Sequence, residues 1–191
     1  MFPPEAFRTL LVQLSDLLQC KHIRFALTGG LVSAFYTEPR LTQDIDILVD
    51  REGLSPVLDS VTAEWQVAGY LFDKSEVHRA VHAGRPFQLF HTAECLRLDV
   101  YPRELVEGEI GRAVRAELYS GVMLPIVCKS DLVISKLLWI QRGSHKSRRD
   151  VRQLMRNLDP PETERVRQLA RERSLDPVLD EVLSEPDEIE E

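Results

Sequence analysis

The chain has 191 residues, 43% of them hydrophobic, which suffices for one good core or for a core with a small helical annex. Its 24 Lys and Arg stand against 31 Asp and Glu, a formal net charge of −7 that excludes a protein coating nucleic acid with its whole surface and leaves room only for a local basic patch. No apolar run approaches the roughly 18 residues that cross a bilayer. Met1 to Arg8 carries an acid and prolines where an export signal would be basic and then greasy, so a cytoplasmic location with no membrane partner is expected.

Cys20, Cys95 and Cys128 are odd in number and lack Cys-x-x-Cys spacing, which argues against a disulfide framework or a zinc knuckle and predicts reduced, buried thiols. Phe7, Leu10, Leu11, Leu14, Leu17 and Leu18 recur at helical spacing over Glu5 to Cys20 and predict a leading amphipathic helix. Ile23 to Leu27 reads as a strand that ends at Thr28-Gly29-Gly30, and Leu31 to Tyr36 as the helix after it. Asp44 to Val49 reads as a second strand and Leu54 to Trp65 as a helix able to cross the sheet. Val77 to Ala83 and Phe87 to His91 look like a hairpin turned at Gly84-Arg85-Pro86, and Cys95 to Tyr101 follows as a further strand. There Leu96, Leu98 and Val100 alternate with Arg97, Asp99 and Tyr101, giving one apolar and one polar face. A strand pair around Leu118 and Val122 completes the sheet.

Beyond Pro125 the pattern turns helical. Ser130 is expected to cap Asp131 to Gln141, Ser147 to Asn157 resumes after Gly143, and about four helices make up the annex. The organisation expected is a core over 1–125, a helical annex over 126–183 and an acidic, frayed tail over 184–191, where five acids crowd the last seven residues. The fold class is α+β, a mixed sheet flanked by helices.

The chemistry concentrates in Asp44-Ile45-Asp46-Ile47. Asp is a poor strand former, and a strand's period of two turns both carboxylates to one face while the isoleucines hold the core. Asp99, on a different strand, also points to a polar face. Three carboxylates brought together repel unless a cation neutralises them, and Mg²⁺ or Mn²⁺ suits oxygen donors shared with phosphate. The bland alternative is a solvated sheet face with an unrelated surface acid. Gly29-Gly30, at the entry to a helix, adds backbone N–H groups and a helix dipole suited to a triphosphate, although a helix entrance alone also favours small residues.

Thr28-Gly29-Gly30, then thirteen residues, then Asp44-Ile45-Asp46, with a later Leu98-Asp99, resembles the signature of polymerase-beta-like nucleotidyltransferases. The string Arg40-Leu41-Thr42-Gln43-Asp44-Ile45-Asp46 is similar to AbiEii-type abortive-infection toxins and to small aminoglycoside or lincosamide nucleotidyltransferases. The resemblance spans about Phe25 to Leu154. It implies metal ligation by Asp44, Asp46 and Asp99, with Asp99 a ligand or the base, and nucleotide contact by Thr28, Gly29, Gly30, Arg40 and Thr42. Thr28 departs from the apolar residue many members carry.

In the annex, Arg142, Lys146, Arg148, Arg149, Arg152 and Arg156 surround one helix start, with Asp150 the only acid between Asp131 and Asp159. Lys146, Arg148, Arg149 and Arg152 are candidates for nucleic-acid contact, against the alternative of a solvated helix face. Lys136 shares a stripe with Leu132 and Ile140, so its ammonium wants an anion or snorkels to water. The resemblance implies that Lys136 contacts phosphate and that Asp150 supports or performs catalysis; on that reading Lys136→Met leaves stability near wild type. His78 and His82, taken as strand residues, do not suggest zinc, and Trp65 and Trp139 read as core anchors. The expected activity is transfer of a nucleoside monophosphate from an NTP to the hydroxyl of an RNA 3′ end or of a small antibiotic-like molecule, with an antitoxin as potential partner. A non-catalytic binding module of the same fold is the alternative.

Overall fold

The computed structural model describes residues 4–38, 42 and 44–186. In chain order it contains α1 (Pro4–Cys20), β1 (Phe25–Thr28), α2 (Gly29–Tyr36), β2 (Asp44–Val49), α3 (Arg51–Leu54), α4 (Leu58–Val67), β3 (Tyr70–Leu71), α5 (Lys74–His82), β4 (Phe87–His91) and β5 (Leu96–Tyr101). They are followed by β6 (Val114–Tyr119), β7 (Val122–Ile126), α6 (Lys129–Gln141), α7 (Lys146–Arg156), α8 (Pro160–Glu172) and α9 (Asp176–Ser184). The chain divides into two compact units, Met1–Val32 with Arg40–Val127 and Ser33–Pro39 with Cys128–Glu191. No helix of the described residues is long and apolar enough to cross a membrane.

The first unit is built on a seven-stranded mixed sheet in the order β3-β4-β5-β2-β1-β7-β6. β1 and β2 are antiparallel, whereas β2 and β5 run parallel and pair Asp44 with Arg97 and Asp46 with Asp99. One face buries Ile45, Ile47, Leu89, Leu98 and Val100 almost completely. Each such side chain stabilises by about 1.5–3 kcal/mol, which outweighs the sub-kilocalorie reluctance of Asp44 and Asp46 to enter a strand. On the other face Gln88, Phe90 and Arg97 remain exposed and Asp44 and Asp46 half-buried. Four of the five leucines of α1 are buried as their periodicity predicts, Leu10, Leu11, Leu14 and Leu18 all at 4% exposure or less, while Leu17 is half-buried.

The expected hairpin strand Val77 to Ala83 is instead the helix α5. Asp73 caps it by accepting from the Glu76 amide at 2.9 Å, and Val77, Ala80 and Val81 bury at i, i+3, i+4. Gly84, at φ +62°, ends the helix rather than turning a hairpin: the Gly84 and Arg85 amides return to the Val81 and Ala80 carbonyls, a Schellman closure. Two β-branched valines gave an extended appearance that the cap and the helical burial stripe override. The thiols also differ from expectation, since Cys20 and Cys95 are exposed and Cys128 is half-buried; all three are free. Cys20 closes a helix, and Cys95 sits in a left-handed turn at φ 52°.

In the second unit α6 is buried nearly all round, from Ser130 to Leu137, and packs against α7, α8 and α9. The helix begins at Lys129 with Cys128 as its N-cap, so Ser130 lies in the first turn and faces the Cys128 Sγ at 3.4 Å instead of capping. Trp139 is half-buried under the Arg142 guanidinium, 5.2 Å from its ring, and so is less of a core anchor than Trp65, which is 1% exposed.

Candidate active site

Parallel pairing in register sets Asp44, Asp46, Arg97 and Asp99 as a two-by-two block on the open face of the sheet. Thr28 on β1 lies beside Asp46 on its other side and is buried. The three aspartates expected to converge therefore do converge on one face, next to the Gly29-Gly30 helix entry. Thr42 donates to the Asp44 Oδ1 at 2.9 Å and so orients that carboxylate. Tyr101 donates its hydroxyl to the Asp46 Oδ1 at 3.3 Å; burial first and the charges of Asp46 and Asp99 next hold this phenol well above its usual range, keeping it a donor. Arg40 lies outside the described residues.

Gly29 fixes the approach of the turn. It has φ +69°, and a Cβ there would stand 2.0 Å from the Asp46 Oδ2 and 2.4 Å from its Cγ. Only glycine permits the carboxylate to lie against the helix entry, where the free N–H groups of α2 begin.

Sequence reasoning did not single out Arg97, yet it organises the block. Its guanidinium contacts the Asp44 Oδ2 at 2.5 Å and the Asp99 Oδ2 at 3.2 Å. The signal was present in the period-two alternation of β5, which set Arg97 and Tyr101 on the face of Asp99. Asp99 is 8% exposed, and its Oδ1 is buried with no hydrogen-bond partner. Burial raises its pKa above the ordinary carboxylate range; Arg97 opposes this, the charge of Asp44 adds to it, and the neighbouring Gln88 amide opposes it.

Among the described residues no three acidic, His or Cys side chains already stand at ligating separation for a metal. The donor set nevertheless fits a hard divalent cation. Asp44, Asp46 and Asp99 offer only oxygens, one of them a buried acceptor lacking a partner, and Arg97 now occupies the place between two of the three that a cation would have to take over. His78 and His82 stand a helical turn apart on α5 and not on a strand.

The raised pKa of Asp99 has a measurable sign. A proton binds Asp99 more tightly in the folded than in the unfolded chain, so the native state is favoured below the unfolded pKa and loses that support as pH rises through the folded one. In metal-free protein Asp99→Asn is therefore expected to raise stability at pH 7, within the roughly 0.5–2 kcal/mol that single stabilising substitutions commonly give. The gain shrinks as pH falls into the carboxylate range. Urea unfolding of both proteins at neutral and acidic pH checks it; a variant no more stable than wild type at pH 7 contradicts the assignment.

In the second unit, Lys136 is 5% exposed and its ammonium meets the Asp150 carboxylate at 2.6 Å. The anion that Lys136 wants is thus provided by α7 of the same unit. Arg148 contacts Glu181 at 2.5 Å, and both Arg148 and Arg152 ion-pair with Glu185, which the sequence assigns to a frayed tail. The Arg148 hydrogen bond holds the Glu185 carboxyl below its ordinary range. Two of the four candidates for nucleic-acid contact are committed to α9, while Lys146 and Arg149 stay exposed, Arg149 with a long 3.4 Å contact to Glu38.

A mixed sheet with paired aspartates on one strand, a third on its parallel neighbour and a glycine helix entry beside them defines a nucleotidyltransferase. The fold is shared with lincosamide antibiotic adenylyltransferase LnuA bound to lincomycin, at 18% identity and TM-score 0.54 over 82% of this chain and 98% of that one. ANT(2'')-Ia in complex with adenylyl-2''-tobramycin is similar at 15% identity and TM-score 0.58, covering 87% and 97%. An antigenic nucleotidyltransferase-like protein from Paracoccidioides brasiliensis aligns at 16% identity and TM-score 0.55, covering 94% and 93%. Comparison with curated protein sequences gives no match. Residues 11–189 match the family described as nucleotidyl transferase AbiEii toxin of type IV toxin–antitoxin systems, and the chain belongs to that family.

Proposed function

We propose that the protein transfers a nucleoside monophosphate from an NTP to a hydroxyl at an RNA 3′ end, with Asp44, Asp46 and Asp99 as the carboxylates that hold Mg²⁺ or Mn²⁺. The observation carrying this reading is the side-by-side register of Asp46 and Asp99 on an open face, against the Gly29 entry of α2. When bound, the divalent cations would neutralise charge developing on the phosphate oxygens and the leaving group. The acceptor oxygen bonds to the α-phosphorus while the bond to the α,β-bridging oxygen breaks, and pyrophosphate departs. The hydroxyl proton passes to a carboxylate, and Asp99 serves as that base or as a ligand. Gly29 and Gly30 receive the triphosphate through backbone N–H groups, with Thr28 beside them, and Thr42 positions Asp44.

In the helical unit, exposed Lys146 and Arg149 favour a polyanionic acceptor over a cationic one. In this reading Lys136 and Asp150 act on the fold of the helical unit and Arg148 and Arg152 tie α7 to α9. The lincomycin and adenylyl-tobramycin of the structural neighbours support a second reading, a small hydroxylated acceptor. The family's description supports an antitoxin as partner.

Mg²⁺ with NTP is expected to raise the melting temperature more than either alone. Ligand at one hundred times its Kd stabilises the native state by about 2.7 kcal/mol, and a chain of this size shifts by about 2–4 °C per kcal/mol, so a rise of about 5–10 °C is expected. Asp46→Asn abolishes the metal-dependent part. Equal shifts in the variant and wild type, read by calorimetry, remove the metal site from this reading.

A further inference from the structure

The open face of the sheet continues past the carboxylates towards its β3 edge. In register, Asp99 on β5 lies opposite Gln88 on β4, Arg97 opposite Phe90, and Phe90 opposite Leu71 on β3. All of Gln88, Phe90, Arg97 and Leu71 are exposed, Phe90 at 42% and Leu71 at 66%. An aromatic ring and a large aliphatic side chain thus stand side by side on the sheet face, adjoining a guanidinium and an amide.

We infer that this strip is the acceptor subsite, built to hold the terminal nucleotide of a single-stranded RNA. The inference rests on the nucleotidyl-transfer reading above and adds where and by what chemistry the acceptor binds. The direction of the reaction fixes the side. The glycine helix entry for the triphosphate lies on β1 and α2, and the strand order runs β4-β5-β2-β1, so the triphosphate and the strip stand on opposite sides of the carboxylates. In an in-line displacement the attacking hydroxyl enters opposite the leaving pyrophosphate, hence from β5 and β4. The chemistry fixes the class. A nucleobase stacks on the Phe90 ring with Leu71 extending the apolar floor, Gln88 offers an amide to the base edge, and Arg97, at the edge of the strip, would be released towards a backbone phosphate if a cation held Asp44 and Asp99 in its place. The terminal ribose hydroxyl is thereby delivered at Asp99.

The test uses the full chain with Mg²⁺, a 5′-fluorescein oligoadenylate read by anisotropy, a fluorescent ATP analogue for the donor side, and transfer of labelled NMP to the same oligonucleotide. Phe90→Ala is expected to weaken oligonucleotide binding about tenfold, the scale of one lost base–aromatic stack, and Phe90→Trp to restore it. Affinity for the ATP analogue and the melting temperature stay at wild-type values. Loss of ATP-analogue affinity in Phe90→Ala would overturn the proposal by putting the donor's base on the strip, and unchanged oligonucleotide affinity would overturn it by returning Phe90 and Leu71 to a cross-strand surface pair. Wild-type protein that binds the ATP analogue with Mg²⁺ and transfers to a hydroxylated small molecule, with no oligonucleotide binding, also overturns the strip while sparing nucleotidyl transfer. Wild-type protein that binds no ATP analogue defeats the nucleotidyl-transfer reading itself.

Discussion

Lys136→Met is expected to lower the free energy of unfolding by about 3–5 kcal/mol, the scale on which one partner of a buried ion pair is missed. The Lys136 and Asp150 side chains are 7% and 3% exposed and meet at 2.6 Å, so methionine replaces the stem but removes the ammonium that faces the buried Asp150 carboxylate between α6 and α7. The magnitude decides between two roles. A lysine holding a ligand phosphate would tolerate methionine in the free protein, whereas a lysine holding Asp150 would not. Lys136→Met combined with Asp150→Leu is expected to recover most of the lost stability, because removing both charges together restores an apolar contact. Urea unfolding of the two variants and wild type reads the coupling directly. A single variant as stable as wild type would return Lys136 to ligand contact.

Gly29→Ala carries the other large effect, on activity more than on stability. The added methyl needs the position now held by the Asp46 carboxyl, 2.0 Å from its Oδ2, and the φ of +69° disfavours any L side chain by about 1–2 kcal/mol. The carboxylate must withdraw from the helix entry. A displacement on the order of 1 Å in a reacting constellation costs about a hundredfold in rate, so nucleotidyl transfer is expected to fall by at least that factor while melting shows a loss of only a few degrees. Gly30, in the next position, is not at positive φ, and Gly30→Ala serves as the comparison. Equal activity in the two variants would mean that the close approach of Gly29 to Asp46 has no part in the reaction.

Both effects show how far the chain's local pattern reaches. Period two in Asp44-Ile45-Asp46-Ile47 determined which side chains face the core and which face the reaction, since strand geometry allows no other distribution once the isoleucines are buried. The same rule set Asp99 on a polar face with Arg97 and Tyr101. The helical stripe of α1 and the position of Gly29 at a helix entry were equally legible, because each depends on neighbours a few residues away. Val77 to Ala83 shows the limit even locally, where valine's strand preference was overruled by the Asp73 cap and the Gly84 closure.

What the tertiary structure alone decided is pairing across long stretches of chain. The parallel register of β2 with β5 sets Asp46 beside Asp99 and inserts Arg97 between Asp44 and Asp99, separations of 53 residues that no local period encodes. Charge shows the same dependence. In sequence, Arg148 and Arg152 belong to a basic cluster and Lys136 to an apolar stripe, each wanting an anion; in space, Glu181, Glu185 and Asp150 arrive from other turns and helices and neutralise them. A side chain's type states what partner its charge requires, but the electric field falls off with distance through space and not along the chain, so only the folded packing determines which partner it meets.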